Sequence, residues 1–529
     1  MTDKLDVILI GAGHNGLVCA NYLAKAGRKV LVLEAGDSPG GAAASREFAP
    51  GYSVSSCAQW LYQLHSGVSR DLDLERHGLQ WAARELPSLL LDTRGRHLSL
   101  LGSRIDGEGV SDGDREAWRA FHARTGKYVK LLARVFESRP PNLVEAGLVD
   151  RLNLLKMGLG LKLLGRDDMS ELMRIILTNM YDLAEEYFDN PQLKSLLGFD
   201  SVLGSRMGPR TPNTVFTYLY RRLGEAYGYN GVAQVKGGMG ALAQALAASA
   251  RARGVELRLG ARVTSIDMFN GRAGGVSLAS GEQFRAAVVV SGADPVTTYG
   301  TLVGLRNMET GMARRVSQIR CAGAAAKLHL ALNAAPRFTG LDESQLGQRL
   351  VIAPDLNYLE RAFNAVKYDE YSAAPALDIS VPTINDPGGA PAGCHVLSAI
   401  VQFAPYEPAG GWEGPSTAAG ATHREHFTRL ILDKIAEYAP GIRDQVVACQ
   451  LLTPQDIERD YGMRGGDWHH AEMSLDQVLM MRPFPGATQY GSGLDGLYLC
   501  GAGAHPGGGV MGLAGRNAAR EIIRRGARA

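Results

Sequence analysis

Asp6-Val-Ile-Leu-Ile-Gly11-Ala-Gly13-His-Asn-Gly16 is the stretch that decides the fold of this 529-residue chain. A short apolar run leads directly into a Gly-x-Gly-x-x-Gly turn, and a helix-like segment follows. This order of strand, turn and helix is typical of a dinucleotide-binding βαβ unit. The glycines permit the tight turn, the approach of a pyrophosphate to the backbone and the close packing of the helix, whose N-terminus attracts phosphate. An ordinary βαβ turn without a ligand is the alternative.

The residues after the turn complete the unit. Residues 29–34 have the pattern of a second strand, and Glu34 stands where an acidic residue accepts hydrogen bonds from a ribose. A glycine pair follows at positions 40 and 41, where backbone amides can reach the same cofactor, although a plain loop is the alternative. The candidate cofactor contacts in this part of the chain are Gly11, Gly13, His14, Asn15, Gly16, Glu34, Ala35, Gly40, Gly41 and Ala42.

Composition narrows the class of protein. The apolar content of 45% and the net charge of +2 are those of a globular protein with no sign of nucleic-acid binding. The six cysteines form no CxxC pair, so neither a redox-active dithiol nor a metal site is predicted. The first strand begins at about residue 5, which leaves no space for a signal peptide, and no apolar run is long enough to span a membrane. We therefore expect a cytoplasmic protein, with peripheral membrane contact left open.

A helical pattern extends from about residue 110 to 225. Within it, the leucine-rich residues 152–164 could lie on a membrane surface, but their two lysines fall on different faces of a helix, which favours a core helix. Six tyrosines are concentrated in its second half and could line an apolar channel or simply form core: Tyr181, Tyr187, Tyr218, Tyr220, Tyr227 and Tyr229. An aromatic cluster at Trp60 and Tyr62 has no assigned role.

The middle of the chain returns to the nucleotide-binding sheet. Lys236-Gly-Gly-Met-Gly240 is interpreted as the start of a helix, because no strand precedes it and its glycine spacing is wrong for a second nucleotide motif. Strand-like segments then cover residues 255–291, with a hairpin signal at Asn270-Gly271. A helix, a strand, a short meander and a return strand are what larger flavin-binding Rossmann domains insert. Further strands are predicted at 325–333, 376–381 and 395–403, in a sheet with one solvated or ligand-lined face.

The second strong motif lies near the C-terminus: Gly496-Leu-Tyr-Leu-Cys-Gly501-Ala-Gly503-Ala-His505-Pro-Gly-Gly-Gly509-Val510-Met511-Gly512. A strand leads into a glycine-rich loop and then into a final helix. A second helix N-terminus near the same cofactor could stabilise the negative charge that a flavin gains on reduction. A purely structural glycine loop is the alternative.

These motifs resemble those of the phytoene desaturase-like flavoproteins, which include carotenoid desaturases, carotenoid isomerases and retinol saturases. The resemblance covers essentially the whole chain and extends to Asp476-Gln477 and Arg482-Pro483. It is strongest to the branch named for a pyridine nucleotide-disulphide oxidoreductase domain. It implies an α/β fold with a Rossmann-type FAD-binding domain in discontinuous segments (1–75, 230–300 and 455–529), a helical cap (76–229) and a substrate-domain sheet (301–454). It also implies FAD contacts at Val263, Gly501, Gly503, Val510, Met511 and Gly512.

Two departures from the relatives limit what the resemblance implies. Amine oxidases usually have Gly-Gly-Arg where this chain has Gly40-Gly41-Ala42, which disfavours amine oxidation, and the missing CxxC argues against disulphide chemistry. Since a second nucleotide motif is also missing, we expect reoxidation by a quinone, oxygen or a protein partner rather than tight NAD(P)H binding. His470 and His505 are the candidate acid–base residues, with loop bracing as the alternative role.

The sequence leaves three functions open. The first is an FAD-dependent oxidoreductase that transfers hydride between an apolar or conjugated substrate and flavin N5. The second is a redox-neutral, flavin-dependent double-bond isomerase. The third is a flavin-carrying regulatory or assembly protein with little turnover.

Overall fold

The computed structural model describes residues 5–142, 146–418 and 420–526. The strands, in chain order, are β1 Leu5–Ile10, β2 Val30–Leu33, β3 Ser45–Ala49, β4 Tyr52–Ser55, β5 Trp81–Leu86, β6 Ser88–Leu90, β7 Leu98–Leu101, β8 Arg104–Gly107, β9 Val232–Val235, β10 Glu256–Arg258, β11 Val263–Phe269, β12 Arg272–Leu278, β13 Gln283–Ser291, β14 Ala325–Leu332, β15 Arg349–Ile352, β16 Ala376–Ser380, β17 His395–Gln402, β18 Val446–Leu452 and β19 Leu497–Leu499. The α-helices are α1 His14–Lys25, α2 Ser66–Asp71, α3 Asp112–Phe136, α4 Leu148–Leu163, α5 Arg166–Ile175, α6 Met180–Tyr187, α7 Pro191–Val202, α8 Thr214–Arg221, α9 Met239–Ala252, α10 Thr310–Ser317, α11 Leu356–Val366, α12 His423–Tyr438, α13 Ile442–Gln445, α14 Pro454–Tyr461 and α15 Leu513–Arg524.

The first sheet is the Rossmann-type sheet that the sequence predicts. Strands β10, β2, β1, β13 and β19 run parallel in that order, and β12 and β11 extend β13 as an antiparallel meander. Strands β1 and β2 carry continuous apolar runs, as expected for parallel strands that are buried on both faces. The hairpin between β11 and β12 turns at Asn270 and Gly271, both with positive φ, as the Asn-Gly signal predicts. The sheet therefore joins segments from both ends and the middle of the chain.

Two helices pack closely on α1 and bring distant segments together. Asn21 of α1 donates to the Leu246 carbonyl of α9 at 3.0 Å, and Ser249 donates to Asn21 Oδ1 at 2.8 Å. On α15, a side chain at Gly515 would lie 2.0 Å from the Asn15 carbonyl oxygen, so only glycine permits this crossing. The N-terminal and C-terminal glycine motifs consequently lie side by side.

The second sheet has eight strands in the order β18-β14-β17-β16-β15-β6-β7-β8. Strands β14 and β16 are buried along their whole length, so of the two predicted alternatives the solvated face is wrong for these strands, and the ligand-lined face stays a prediction. One face is apolar and is covered by Phe427, Ile431 and Ile435 of α12. The other carries buried polar side chains, including Asp378, and contributes to the cavity described below.

The range 76–229, predicted from the sequence as a helical cap, begins with strands instead. Strands β6, β7 and β8 join the eight-stranded sheet, and β5 pairs with β9. Helices α3 to α8 form the cap itself, around aromatic residues such as Trp118, Phe121 and Phe188. The exact domain boundaries stay a prediction.

Helix α4 is exposed, so the prediction of a core helix for residues 152–164 is wrong. Five leucines at spacings of three and four residues lie 51–85% exposed along one face: Leu148, Leu152, Leu155, Leu159 and Leu163. The opposite face rests on α3, where Gly160 approaches Leu131. Among the described residues, no helix combines the length and apolar character needed to cross a bilayer.

Candidate functional site

The turn between β1 and α1 has the form of a phosphate cradle. A Cβ placed at Gly13 would meet no atom within 4 Å, whereas one at Gly16 would lie 2.3 Å from the Gly11 carbonyl oxygen. The first bond of the helix runs from Leu17 N to Gly13 O, and no side chain of the described residues caps α1. The amides of the first turn can therefore bind an anion. Asn15, beside them, has a buried side-chain oxygen without a hydrogen-bond partner in the described chain.

Glu34 and the second glycine pair border this turn. The Glu34 carboxylate accepts the Ala12 amide at 2.6 Å and the Gly36 amide at 2.8 Å, which fixes it at the end of β2, next to Ala35. Gly40 donates to the Ala12 carbonyl at 2.9 Å, and a Cβ at Gly41 would lie 3.5 Å from Gly13 Cα. The two glycine turns thus form one continuous surface.

Val263 is the first residue of β11, and the segment just before it contacts Glu34 at the end of β2. The connection to Glu34 is short, because the Ala261 amide donates to the Glu34 carbonyl at 2.7 Å. The sequence motif Lys236–Gly240 leads into α9, as predicted, with Gly238 as its N-cap. The expectation that no strand precedes the motif is wrong, because β9 ends at Val235, directly before Lys236.

The C-terminal loop meets the N-terminal turn directly. His14 Nε2 lies 3.1 Å from the Gly509 carbonyl oxygen, and Met511 is buried while its carbonyl accepts the His65 amide at 3.1 Å. Gly512 has a φ of +74° and is the N-cap of α15. Gly501, Gly503 and Val510 lie in the same loop, between β19 and α15. The structure therefore brings all predicted cofactor contacts of the two glycine motifs to one region.

A buried arginine ties this loop to the preceding segment. Arg482 donates to the carbonyl oxygens of Ala502 at 2.9 and 3.1 Å, Gln477 at 3.0 Å and Ala471 at 3.2 Å, and also to that of His469. Burial lowers the pKa of this guanidinium, although a guanidinium stays charged in proteins. The Arg482-Pro483 motif of the sequence thus positions the glycine loop.

A cavity of about 1040 Å³, solvent-open space included, lies against both loops. His14, Ala42, Gly509 and Val510 form the side that belongs to the glycine loops. The remaining wall is largely apolar and aromatic, and it includes Trp60, Leu203, Tyr220, Ile400, Trp468 and Met473. Three charged side chains also line it at one end: Asp200, Arg221 and Asp378.

The predicted acid–base histidines, His470 and His505, are not the ones that line the cavity. His469 lines the cavity, whereas His470 and His505 are not among its lining residues. Burial lowers the pKa of His469 to about 3 and the pKa of both His470 and His505 to about 4, so all three rings are neutral near pH 7. His505 packs edge-on against Phe136 with ring centroids 5.6 Å apart. A catalytic role for His470 or His505 stays a prediction.

Sequence reasoning missed several cavity residues. Trp60 and Tyr62 had no assigned role, and both line the cavity; of the six clustered tyrosines, Tyr220 does so too. The charged end is built from Asp200, Arg221 and Asp378, which come from the cap and from the second sheet. Because these positions are far apart in sequence, no local pattern could have joined them.

The residues present fit FAD. The open space at Gly13, the uncapped start of α1 and the fixed carboxylate of Glu34 suit a pyrophosphate and a ribose, and the adjoining cavity can receive a flat ring system. The family model of the flavin-containing amine oxidoreductases matches residues 16–351. The chain belongs to that family. It is an FAD-dependent oxidoreductase of α/β fold.

Relatives of this family member span nearly its whole length. The pyridine nucleotide-disulfide oxidoreductase domain-containing protein 2 of Rattus norvegicus is 33% identical over 98% of this chain and 94% of its own. The lycopene-forming phytoene desaturase of Pantoea ananas is 25% identical over 96% of each chain, and the chloroplastic prolycopene isomerase of Daucus carota is 24% identical over 97% and 78%. The predicted resemblance to the phytoene desaturase-like flavoproteins is confirmed.

A solved structure shows the same fold. Cyclohexylamine oxidase from Brevibacterium oxydans superposes with a TM-score of 0.56, covering 99% of this chain and all of its own, at 16% identity. The six cysteines of this chain are free thiols in the structure.

Proposed function

We propose that this oxidoreductase transfers hydride between a carbon of an apolar or conjugated substrate and flavin N5, in a CH–CH desaturase or saturase reaction. The observation that carries the proposal is the cavity, whose wall opposite the glycine loops is mainly aromatic and aliphatic. Such a wall binds a hydrocarbon body through burial of apolar surface. The departure from Gly-Gly-Arg at Gly40-Gly41-Ala42 favours this substrate class over an amine.

The residues of this chain have three tasks in the proposed reaction. The turns at Gly11–Gly16 and Gly40-Gly41 hold the pyrophosphate, and Glu34 holds the ribose. The loop around Val510 and Met511 presents its backbone to the ring system. When bound, the flavin supplies hydride acceptance or donation.

Substrate orientation and water exclusion come from the aromatic wall. Trp60, Tyr220 and Trp468 flank the cavity and keep solvent from the reacting carbon. His469 is the only histidine of the Asp467–Glu472 segment that lines the cavity, and because burial lowers its pKa to about 3, its neutral ring contacts the substrate without carrying a positive charge. The electron acceptor that completes turnover is a quinone, oxygen or a protein partner.

Anaerobic titration of the FAD-loaded protein tests the proposal. Small molecules that co-purify with the protein are first identified by untargeted mass spectrometry, and they and related hydrocarbons are then added without oxygen. If the protein is a desaturase, the substrate reduces the flavin, and the absorbance of the oxidised flavin at about 450 nm falls in proportion to the substrate added. If no conjugated or apolar compound bleaches the oxidised flavin or reoxidises the reduced one, the hydride-transfer proposal is wrong.

The same titration distinguishes the two other functions. A double-bond isomerase, which the similarity to prolycopene isomerase supports, converts substrate only after the flavin has been reduced and shows no net bleaching. A regulatory or assembly protein shows neither flavin bleaching nor substrate conversion, but it binds a partner protein in a pull-down experiment with defined fragments of that partner.

We also propose that α4 docks on an anionic phospholipid surface. Its exposed leucines form a continuous apolar stripe, and its exposed charged residues are all cationic: Arg151, Lys156 and Lys162. The one acidic residue of this helix, Asp150, is buried and paired with Arg139 at 2.5 Å. An apolar stripe bordered by cations matches the chemistry of an anionic bilayer surface.

Vesicle co-sedimentation tests this contact. We expect binding to vesicles of phosphatidylglycerol and phosphatidylcholine and much weaker binding to phosphatidylcholine alone. Replacing Leu152, Leu155 and Leu159 together with serine removes apolar area that contributes roughly 25 cal/mol per Å² and should weaken binding at least about tenfold. Serine at Leu305, Val447 and Ile523, which are exposed elsewhere, is the matched control. Equal binding of both variants would rule out docking through α4.

A further inference from the structure

The charged end of the cavity is a partition, because a second cavity lies behind it. Tyr62, Asp200 and Arg221 line both the first cavity and a second one of about 680 Å³. The wall of the second cavity is mixed: Ser88, Arg222 and Glu225 lie beside apolar residues such as Leu100, Trp118 and Leu197. A substrate in the first cavity therefore has a polar boundary at one end and apolar walls along its length.

Arg221 is the cation of this partition that can reach a ligand. Its Nε lies 3.1 Å from Asp200 Oδ1, one terminal nitrogen donates to Tyr62 Oη at 3.2 Å, and the other is 4.0 Å from Asp378 Oδ2. The guanidinium also lies over the Tyr62 ring, 4.6 Å from its centroid. A guanidinium has five donors, so this set leaves donors of Arg221 for a further acceptor.

Asp200 has a second cationic partner besides Arg221. Arg349, which is 1% exposed, donates to Asp200 at 2.6 Å and to Asp378 at 2.8 Å. Asp378 also accepts from Gln59 at 3.0 Å and from the Trp60 indole at 3.1 Å. Both carboxylates thus keep hydrogen-bonded partners when Arg221 turns toward a ligand, although the two then share the single positive charge of Arg349.

We propose that the substrate is amphipathic: its apolar body lies in the first cavity, and Arg221 binds a carboxylate at its end. Arginine matches a carboxylate with two parallel hydrogen bonds, which a hydroxyl cannot accept in the same way. Tyr62 orients the guanidinium, and the second cavity takes the hydrated side of the head group. This inference rests on the proposed function, since it assigns the substrate class of the same cavity.

Binding of matched probes to the FAD-loaded protein tests the assignment. Dodecanoate and 1-dodecanol share their apolar chain and are titrated below their aggregation concentrations, with the flavin absorbance spectrum and Tm as readouts. We expect dodecanoate to bind roughly tenfold more tightly than the alcohol, which corresponds to about 1.4 kcal/mol. Arg221→Gln should abolish this preference and leave the binding of the alcohol unchanged.

Two further variants serve as controls for the result with Arg221→Gln. Arg221→Lys retains the charge beside Asp200 but loses the two-pronged geometry, so it should keep the fold and an intermediate preference. Arg119→Gln, on the exposed face of α3, is the control and should behave as the unmodified protein.

The possible results separate the two proposals. Equal affinities of both probes for the unmodified protein would overturn the role of Arg221 while leaving an apolar substrate pocket beside the flavin. The same conclusion follows if Arg221→Gln keeps the preference. If neither probe perturbs the flavin, this cavity does not bind such chains, and the proposed function fails as well.

Discussion

Two glycines of one turn, Gly13 and Gly16, differ in what would surround a side chain at their positions. A methyl group at Gly13 meets only open space, where the cofactor phosphates are proposed to lie. We expect Gly13→Ala to leave the Tm of the FAD-free protein unchanged and to weaken FAD binding by roughly tenfold, about 1.4 kcal/mol. Fluorescence titration with FAD and thermal denaturation measure the two effects.

Gly16→Ala should behave in the opposite manner. Its methyl group would lie 2.3 Å from the Gly11 carbonyl oxygen, so α1 must shift away from β1. Overpacking of this kind costs about 1–3 kcal/mol of stability even without cofactor. If the two alanine variants lose stability equally in the FAD-free state, Gly13 is a structural residue rather than a phosphate contact.

The residue types and their spacing within one βαβ unit make part of the site predictable from the sequence. The glycines and Glu34 lie within one βαβ unit, so their roles follow from spacing. His469 and Arg221 could not be identified in this way, because their importance depends on a cavity whose walls come from four separate regions of the chain.

Among the elements, the loop between β19 and α15 depends on Arg482. Its hydrogen bonds to carbonyl oxygens hold the loop against residues 469–477, and hydrogen bonds from charged groups contribute about 1.5–3 kcal/mol each. Lysine cannot reproduce the planar fork. We therefore expect Arg482→Lys to accelerate FAD release and lower the Tm of the loaded protein.

Stopped-flow or dilution experiments that follow flavin fluorescence measure the release rate. Arg459→Lys is the control, because the Arg459 side chain is 67% exposed and forms its ion pairs with Asp456 and Asp460 of its own helix, α14. An unchanged release rate in Arg482→Lys would show that the loop is held by its own packing against α1.

Elements with a strong local pattern were predicted well, and those decided by tertiary contacts were not. The helix at α12 and the hairpin of β11 and β12 follow from periodicity and turn residues. For helix α4, the two lysines on different faces favour a core position; the sequence pattern does not reveal that the cap offers this helix a partner on one side only. Strands β6 to β8 are short, and β6 pairs with β15, more than 200 residues away, so no local pattern predicts them; β7 and β8 extend the sheet from β6.

For the whole molecule, buried neutral histidines make stability depend on pH. Burial lowers the pKa of His470 and His505 to about 4, below the ordinary 6.5, so the unfolded chain binds more protons between these values. Their contribution is complete above pH 6.5 and is lost as the pH falls toward 4. Asp467 opposes it: burial raises the pKa of this carboxyl to about 7, so its contribution is lost as the pH rises from about 4 to 7.

The substitution His505→Gln isolates the contribution of one buried histidine to the pH dependence of stability. It should reduce the loss of unfolding free energy between pH 6.5 and 4.5 by up to about 2–3 kcal/mol, because a shift of one pKa unit corresponds to about 1.4 kcal/mol. Urea denaturation of the FAD-loaded protein at several pH values measures the difference. A parallel displacement of the two stability curves at all pH values would mean that folding does not lower the pKa of His505.

Strand β19 and helix α15 complete the first sheet and its helical layer, but they are the last elements of the chain to be synthesised. A ribosome adds about 5–20 residues per second, so β1, α1 and β13 wait tens of seconds before β19 and α15 are synthesised. Until then the growing chain exposes the apolar flank of β13 and the face of α1 that Gly515 later covers. We therefore expect FAD to bind only after β19, the glycine-rich loop and α15 have been synthesised. A chain that terminates before residue 497 would aggregate rather than accumulate as a flavin-free domain.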